Sequence, residues 1–222
     1  VSGRGESAQF VDLQVHSTAS DGALSPTKVV EAAREAQLYA IALTDHDTMA
    51  GIPAAHEMAQ RLGLRFIPGV ELSVHQDATE VHLLGLHIAD VPGMEQALTT
   101  FRDGRRARAR TMVERLVAVG APIDFDAVLA AAAGGAIGRP HVAKALVAAG
   151  HVRDHREAFD KYLAAGRPAY VDKARLEIAE GIALIHRYGG LAIIAHPGPD
   201  GCRERVEPLV GLGLDGLEVR HP

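Results

Sequence analysis

A chain of 222 residues accommodates one catalytic-sized domain plus an insertion, and 47% hydrophobic against 23% charged residues exclude a disordered polymer. With 23 Lys and Arg against 28 Asp and Glu the net charge is −5, which excludes a globally basic nucleic-acid coat but leaves room for a local basic stripe. The single cysteine, Cys202, excludes an internal disulfide framework and fits a reducing, cytoplasmic setting, and no apolar stretch approaches the roughly 20 residues of a membrane span.

Residues 1–9 read as a tail outside the fold. Phe10 to Val15 is an apolar run ending at His16, and Ser25-Pro26 then supplies an N-cap and first-turn proline for a helix carrying Val29, Val30, Ala33 and Ala36. Tyr39 to Leu43 reads as the second strand, closed by Thr44-Asp45-His46-Asp47, and Ile52 to Leu62 as a helix stopped by Gly63. Leu64 to Ile67 leads into Pro68-Gly69-Val70-Glu71, and Glu80 to Ile88 is a β-rich run holding His82 and His87. From Met94 the texture is helical for roughly 80 residues, with a strand only at Ala169 to Val171, so 94–175 is expected to be a helical insertion acting as a substrate cap. Alternation then resumes with helix Ile178 to Tyr188, strand Leu191 to Ala195, helix Arg203 to Leu212 and strand Leu217 to Arg220. Repeated βα units predict a parallel sheet covered by helices, and polar residues gathered at strand ends favour a barrel, formed by 10–93 and 176–222, over an open sheet.

The 12 histidines are the unusual count, and those at strand ends sit among Asp and Glu, a donor set for borderline or hard divalent cations. A carboxylate can bridge two ions where an imidazole binds one, so Glu71 among histidines suggests more than one metal. His56, His75, His151, His155 and His186 lack that setting and read as solvated or helix-face residues.

Four segments in order carry a family resemblance. They are Asp12-Leu13-Gln14-Val15-His16-Ser17-Thr18-Ala19-Ser20-Asp21-Gly22, Thr44-Asp45-His46-Asp47, Pro68-Gly69-Val70-Glu71 with Val81-His82-Leu83-Leu84-Gly85, and Ala195-His196-Pro197. Together they resemble the polymerase and histidinol phosphatase (PHP) family, metal-dependent phosphoesterases on a distorted seven-stranded α/β barrel. Ile137-Gly138-Arg139-Pro140-His141 and Ala158-Phe159-Asp160-Lys161-Tyr162-Leu163 resemble its subgroup acting on phosphorylated nucleotides and RNA 5′ ends.

The resemblance implies a distorted (β/α)7 PHP-type barrel with an all-helical insertion, and two to three divalent ions, Mn favoured among Mn, Fe, Zn and Mg. His16 and Glu71 would hold the first ion, and Glu71 would bridge to a second held by His82 and His196. Asp21 and His46 would hold the third, with Asp45 orienting a ligand ring behind them. A metal-activated hydroxide held by His16, Glu71 and His196 would attack phosphorus, releasing phosphate from 3′,5′-bisphosphorylated nucleosides or nucleotides from RNA 5′ ends. No membrane and no stable DNA partner is expected.

Two departures stand out. Gln14 occupies the first position of the family's His-x-His, and its neutral amide oxygen suits hard cations better than zinc. The family's later Asp-x-His pair is expected beyond Pro222, leaving the barrel incomplete at its C-terminal end. These departures define the alternative, a catalytically weak PHP module with a structural or regulatory role; a third reading is an amide-cleaving barrel hydrolase. Arg139 and His141, at a predicted helix start, are the expected phosphate contacts, and Arg102, Arg105, Arg106, Arg108 and Arg110 form either a solvated face or a phosphate guide. Cys202 reads as incidental.

Overall fold

The computed structural model describes residues 10–77, 79–132, 137–172 and 176–219. They divide into two compact units, Val1–Glu95 with Leu176–Pro222, and Gln96–Arg175.

In the first unit β1 (Val11–Val15), α1 (Pro26–Glu35), β2 (Ala40–Leu43), α2 (Ile52–Leu62) and β3 (Arg65–Gln76) follow one another, a helix joining each pair of parallel strands. Ser25 caps α1, its side chain accepting from the Lys28 N–H, and Pro26 occupies the first turn, where its missing N–H costs nothing. Val29, Val30 and Ala33 then turn one helical stripe inward. Gly63 ends α2 in the left-handed conformation at φ 61°, which favours a residue without Cβ. After β3 come β4 (Thr79–Leu86), α7 (Ile178–Arg187), β5 (Leu191–Ile194), α8 (Arg203–Val210) and β6 (Gly216–Leu217). No described helix is long and apolar enough to cross a membrane.

The α/β barrel-type reading is borne out, but the sheet is not uniformly parallel. Its six strands lie in the order β1-β2-β3-β4-β5-β6, with β4 antiparallel to both neighbours and the other pairs parallel. The cause is local: only two residues separate Gln76 from Thr79, and a link that short joins antiparallel strands while a parallel crossover needs a dozen or more. β3 also runs on through Pro68 to Gln76, so Glu71 lies inside a strand and not beyond its end. Ile41, Leu43, Leu72 and Leu83 are fully buried on one face of the central strands, and Ala42, Ile67, Leu84 and Leu86 form a cluster on the other. The expected last strand is shorter, Gly216–Leu217, and Arg220 lies outside the described residues.

The second unit is helical. α3 (Val91–Ala118) enters it and is followed by α4 (Phe125–Ala132), α5 (Arg139–Ala148), the short α6 (His155–Ala158) and a π-turn over Phe159–Leu163. Met112, Leu116, Val128, Val142, Leu146 and Leu163 form its separate core. The strand expected at Ala169–Val171 is absent. There the Arg108 Nε–H donates to the Val171 carbonyl at 2.9 Å, and Arg115 donates to that of Tyr170. Side chains satisfy backbone groups that a neighbouring strand would otherwise pair.

Candidate metal centre

Parallel β1 and β2 end on one face, where β3 runs on past them, and an isolated bridge beyond β2 brings the polar residues together there. The Glu71 N–H donates to the Asp45 carbonyl at 3.2 Å and the Asp47 N–H to the Glu71 carbonyl at 2.9 Å, forming a parallel bridge between His46 and Glu71. Antiparallel register sets Ser73 opposite His82 and Glu71 opposite Leu84, which puts Glu71 and His82 diagonally on the same face. His196 follows β5 with φ 60°, a backbone conformation unusual for a residue with a Cβ, and this turns its ring back toward β4.

Glu71 is fully buried and sits at the centre of these groups. Its Oε1 lies 2.7 Å from His82 Nδ1 and 2.9 Å from His196 Nε2, and its Oε2 lies 2.9 Å from His16 Nε2. The Gln14 amide N–H also donates to Oε2, at 2.7 Å. Ring centroids run His16 to His46 at 4.7 Å, His46 to His82 at 5.0 Å and His82 to His196 at 5.1 Å. Two ligand groups result, His16/His46/Glu71 and Glu71/His82/His196, each with donor atoms within 4.8 Å of one another and both sharing Glu71. Asp21 stands at the rim, 3.4 Å from His16 Nδ1 and 3.9 Å from His46 Nε2.

Burial penalises the Glu71 charge, but hydrogen bonds from His16 and His82, the positive field of His46 and a hydrogen bond from His196 outweigh it and hold the carboxyl far below its usual range. The same hydrogen bonds raise the pKa of His16 and of His82, whereas burial lowers that of His46. Gln14 Oε1 is a buried acceptor with no hydrogen-bond partner among the described residues, and buried His16 Nδ1 makes no hydrogen bond and faces the Asp21 carboxylate at 3.4 Å. Lone pairs left open in a nitrogen-and-carboxylate cage are what a divalent cation uses, so the residues fit the metal the donor set suggests.

Three expected roles change. Asp45 is 2% exposed and does not hold an imidazole: its Oδ1 accepts from the Ser17 N–H at 2.6 Å and the Ser20 hydroxyl at 2.7 Å, and its Oδ2 from the Ser17 hydroxyl at 2.7 Å. It fixes the loop that carries His16 and Asp21. Gly22 closes this loop, since a Cβ there would lie 2.4 Å from the His16 carbonyl oxygen. His46, expected with Asp21 alone, also joins His16 and Glu71. His75, expected to be solvated, is buried in β3 with its Nε2 3.6 Å from Glu80. Ser17 and Ser20, quoted in the first motif but given no role from the sequence, are the Asp45 partners; their spacing beside His16 was the available signal.

In the helical unit the Arg139 guanidinium lies 5.6 Å from both the Phe159 and Tyr170 ring centres. His141 Nδ1 accepts from the Gly138 N–H at 3.0 Å, and burial and Lys144 lower its pKa. With Nδ1 accepting, Nε2 is the ring nitrogen left to donate a hydrogen bond. Of the arginine run, Arg110 and Arg106 lie over Phe125 and Arg102 donates to Thr99, so much of that face is engaged within the unit.

The sequence matches the PHP domain over residues 12–175. The chain belongs to the PHP domain family. This PHP domain is 42% identical over 195 residues to the 5′-3′ exoribonuclease Rnm of Salmonella typhimurium, covering 86% of the chain and 66% of that protein. It is 39% identical over 216 residues to the 3′,5′-nucleoside bisphosphate phosphatase of Chromobacterium violaceum, covering 94% and 76% respectively. A solved structure from Bifidobacterium adolescentis, assigned as a metal-dependent phosphoesterase, aligns with TM-score 0.70 and 34% identity over 97% of this chain and 78% of that chain. The chain thus spans about two thirds to three quarters of the length of these relatives.

Proposed function

We propose that this PHP domain is a divalent-metal phosphoesterase that removes phosphate from 3′,5′-bisphosphorylated nucleosides or nucleotides from RNA 5′ ends. The observation that carries the reading is Glu71, one buried carboxylate shared between two imidazole groups. His16, His46 and Glu71 would hold one ion and Glu71, His82 and His196 another, with Asp21 reaching a third from the rim. Mixed N and O donors and a neutral Gln14 amide favour Mn over Zn. When bound, such ions supply Lewis acidity toward phosphate oxygens and acidify water.

The chain's own contribution is position. Glu71 keeps its negative charge in a buried setting, so two ligand sets can form around one side chain. Asp45 holds the His16 loop through Ser17 and Ser20. Arg139, always charged and beside two rings, and His141, with Nε2 as its donor, serve as phosphate contacts in the helical unit. The relatives' enzyme names support catalysis over a structural or regulatory module. The test is chelator-stripped protein reloaded with Mn2+, assayed for phosphate release from adenosine 3′,5′-bisphosphate and for nucleotide release from a 5′-phosphorylated RNA oligonucleotide. Metal-dependent release is expected; none with any divalent ion contradicts the reading.

A further inference from the structure

Beside the imidazoles, the barrel unit holds a cavity of about 170 Å³ that the ligand set does not use. His82 and His196 form its inner rim. Its apolar side is Ile194 of β5 and the buried Leu209 of α8, and its polar side is Gln76 and Glu80 of the β3–β4 hairpin with Arg205 of α8. The walls are tied together: the Gln76 amide N–H donates to the Arg205 carbonyl at 3.2 Å, and Glu80 Oε2 lies 3.6 Å from His75 Nε2. Hairpin and helix therefore arrive at the cavity already positioned.

Size and charge narrow the occupant. The volume falls below the roughly 300 Å³ at which sites for drug-sized ligands begin, so a single ring system fits and a whole nucleotide does not. A phosphate would meet Arg205 favourably but would also face the Glu80 carboxylate. A neutral heterocycle has no such conflict: Glu80 accepts from its N–H edge, Arg205 and Gln76 offer donors, and Ile194 and Leu209 cover a flat face. A guanidinium also stacks on planar rings. We propose that this cavity takes a nucleobase of the substrate, held next to the phosphate whose ester bond is broken. The proposal rests on the phosphoesterase reading and extends it, since it makes the base, and not only the phosphates, a source of binding.

The direct test needs neither metal nor phosphate. Equilibrium dialysis of radiolabelled adenosine against the chelator-treated protein, with ribose as the baseless control, should show adenosine bound at least ten-fold more tightly than ribose. Val206→Trp, from a partly exposed position lining the cavity, should fill it and cut adenosine binding ten-fold or more, and Arg205→Ala should weaken it in the same direction. Unchanged far-ultraviolet circular dichroism checks that each variant folds. In the Mn2+-loaded protein the same variants should raise KM for adenosine 3′,5′-bisphosphate relative to ribose 5-phosphate, with kcat little altered. Wild-type protein binding adenosine no better than ribose, or binding that survives Val206→Trp, overturns the proposal. Failure of the loaded protein to hydrolyse any phosphate ester would instead overturn the phosphoesterase reading, while the dialysis result still decides the cavity.

Discussion

Replacing Asp45 separates a residue that holds the His16 loop from one that touches an ion. Asp45 and Ser17 are 2% and 0% exposed, so Asp45→Ala strands the Ser17 N–H and hydroxyl away from water, whereas Ser20 can turn toward solvent. Each stranded donor costs about 1–3 kcal/mol, which puts Asp45→Ala at about 2–6 kcal/mol. Asp45→Asn keeps an acceptor for the Ser17 N–H and can donate to a rotated Ser17 hydroxyl, so it should cost only about 1–2 kcal/mol. Urea unfolding in excess chelator reads this cost without any metal contribution. Calorimetric titration of Mn2+ then reads the consequence for the site. A loosened His16 loop should lower affinity by roughly 10- to 100-fold in Asp45→Ala and far less in Asp45→Asn, following the stability losses. Asp45→Asn that abolishes Mn2+ binding while leaving chelated-protein stability untouched would refute this reasoning, because it would mean that the carboxylate itself meets the ion.

Gln14→His should raise Mn2+ affinity roughly ten-fold, about 1.4 kcal/mol, because an imidazole would replace an amide whose oxygen is buried without a partner; unchanged affinity in a folded variant would show that the position does not reach the ion. Arg139→Ala should cost about 1.5–3 kcal/mol of transition-state binding, roughly 10- to 150-fold in kcat/KM, toward a 3′,5′-bisphosphate and much less toward a monophosphate, with equal losses on both assigning Arg139 to folding. The metal-free protein should lose stability as pH rises above about 6.5, because His16 and His82 have raised folded pKa values and so bind protons more tightly folded than unfolded. The Glu71 contribution has the opposite sign, present above about pH 4.3 and lost on acidification toward its depressed value. Urea midpoints in chelator from pH 5 to 8.5 check this, and Glu71→Gln should flatten the alkaline slope.

Much of the architecture was readable where local chemistry decides it. Ser25-Pro26 and Gly63 marked helix ends because caps and left-handed turns depend on one or two residues. The direction of β4 was not readable, since the strand is exposed at its Thr79-Glu80 start and buried only from Leu83 to Leu86, and its residue pattern carries no direction. The Gln76–Thr79 link also lacks the Asn-Gly or Asp-Gly pair that signals a hairpin. His16, His46, Glu71, His82 and His196 could be named because each ends or lines a strand that the fold brings to one face. Asp45 was given the wrong partner because its bonds go to a Ser17 backbone whose path depends on the whole loop. His75 and the Arg205 cavity depend on how hairpin and helix pack, which residue spacing does not record.

The central claim is that Glu71 serves two ligand groups at once. Metal content by mass spectrometry tests it most directly, on wild-type protein and Glu71→Gln, each stripped with chelator, loaded with Mn2+ and desalted. The account predicts two or more ions per wild-type chain and loss of both positions together in Glu71→Gln. Near-zero metal in the wild type, or a variant that keeps full occupancy, would contradict it.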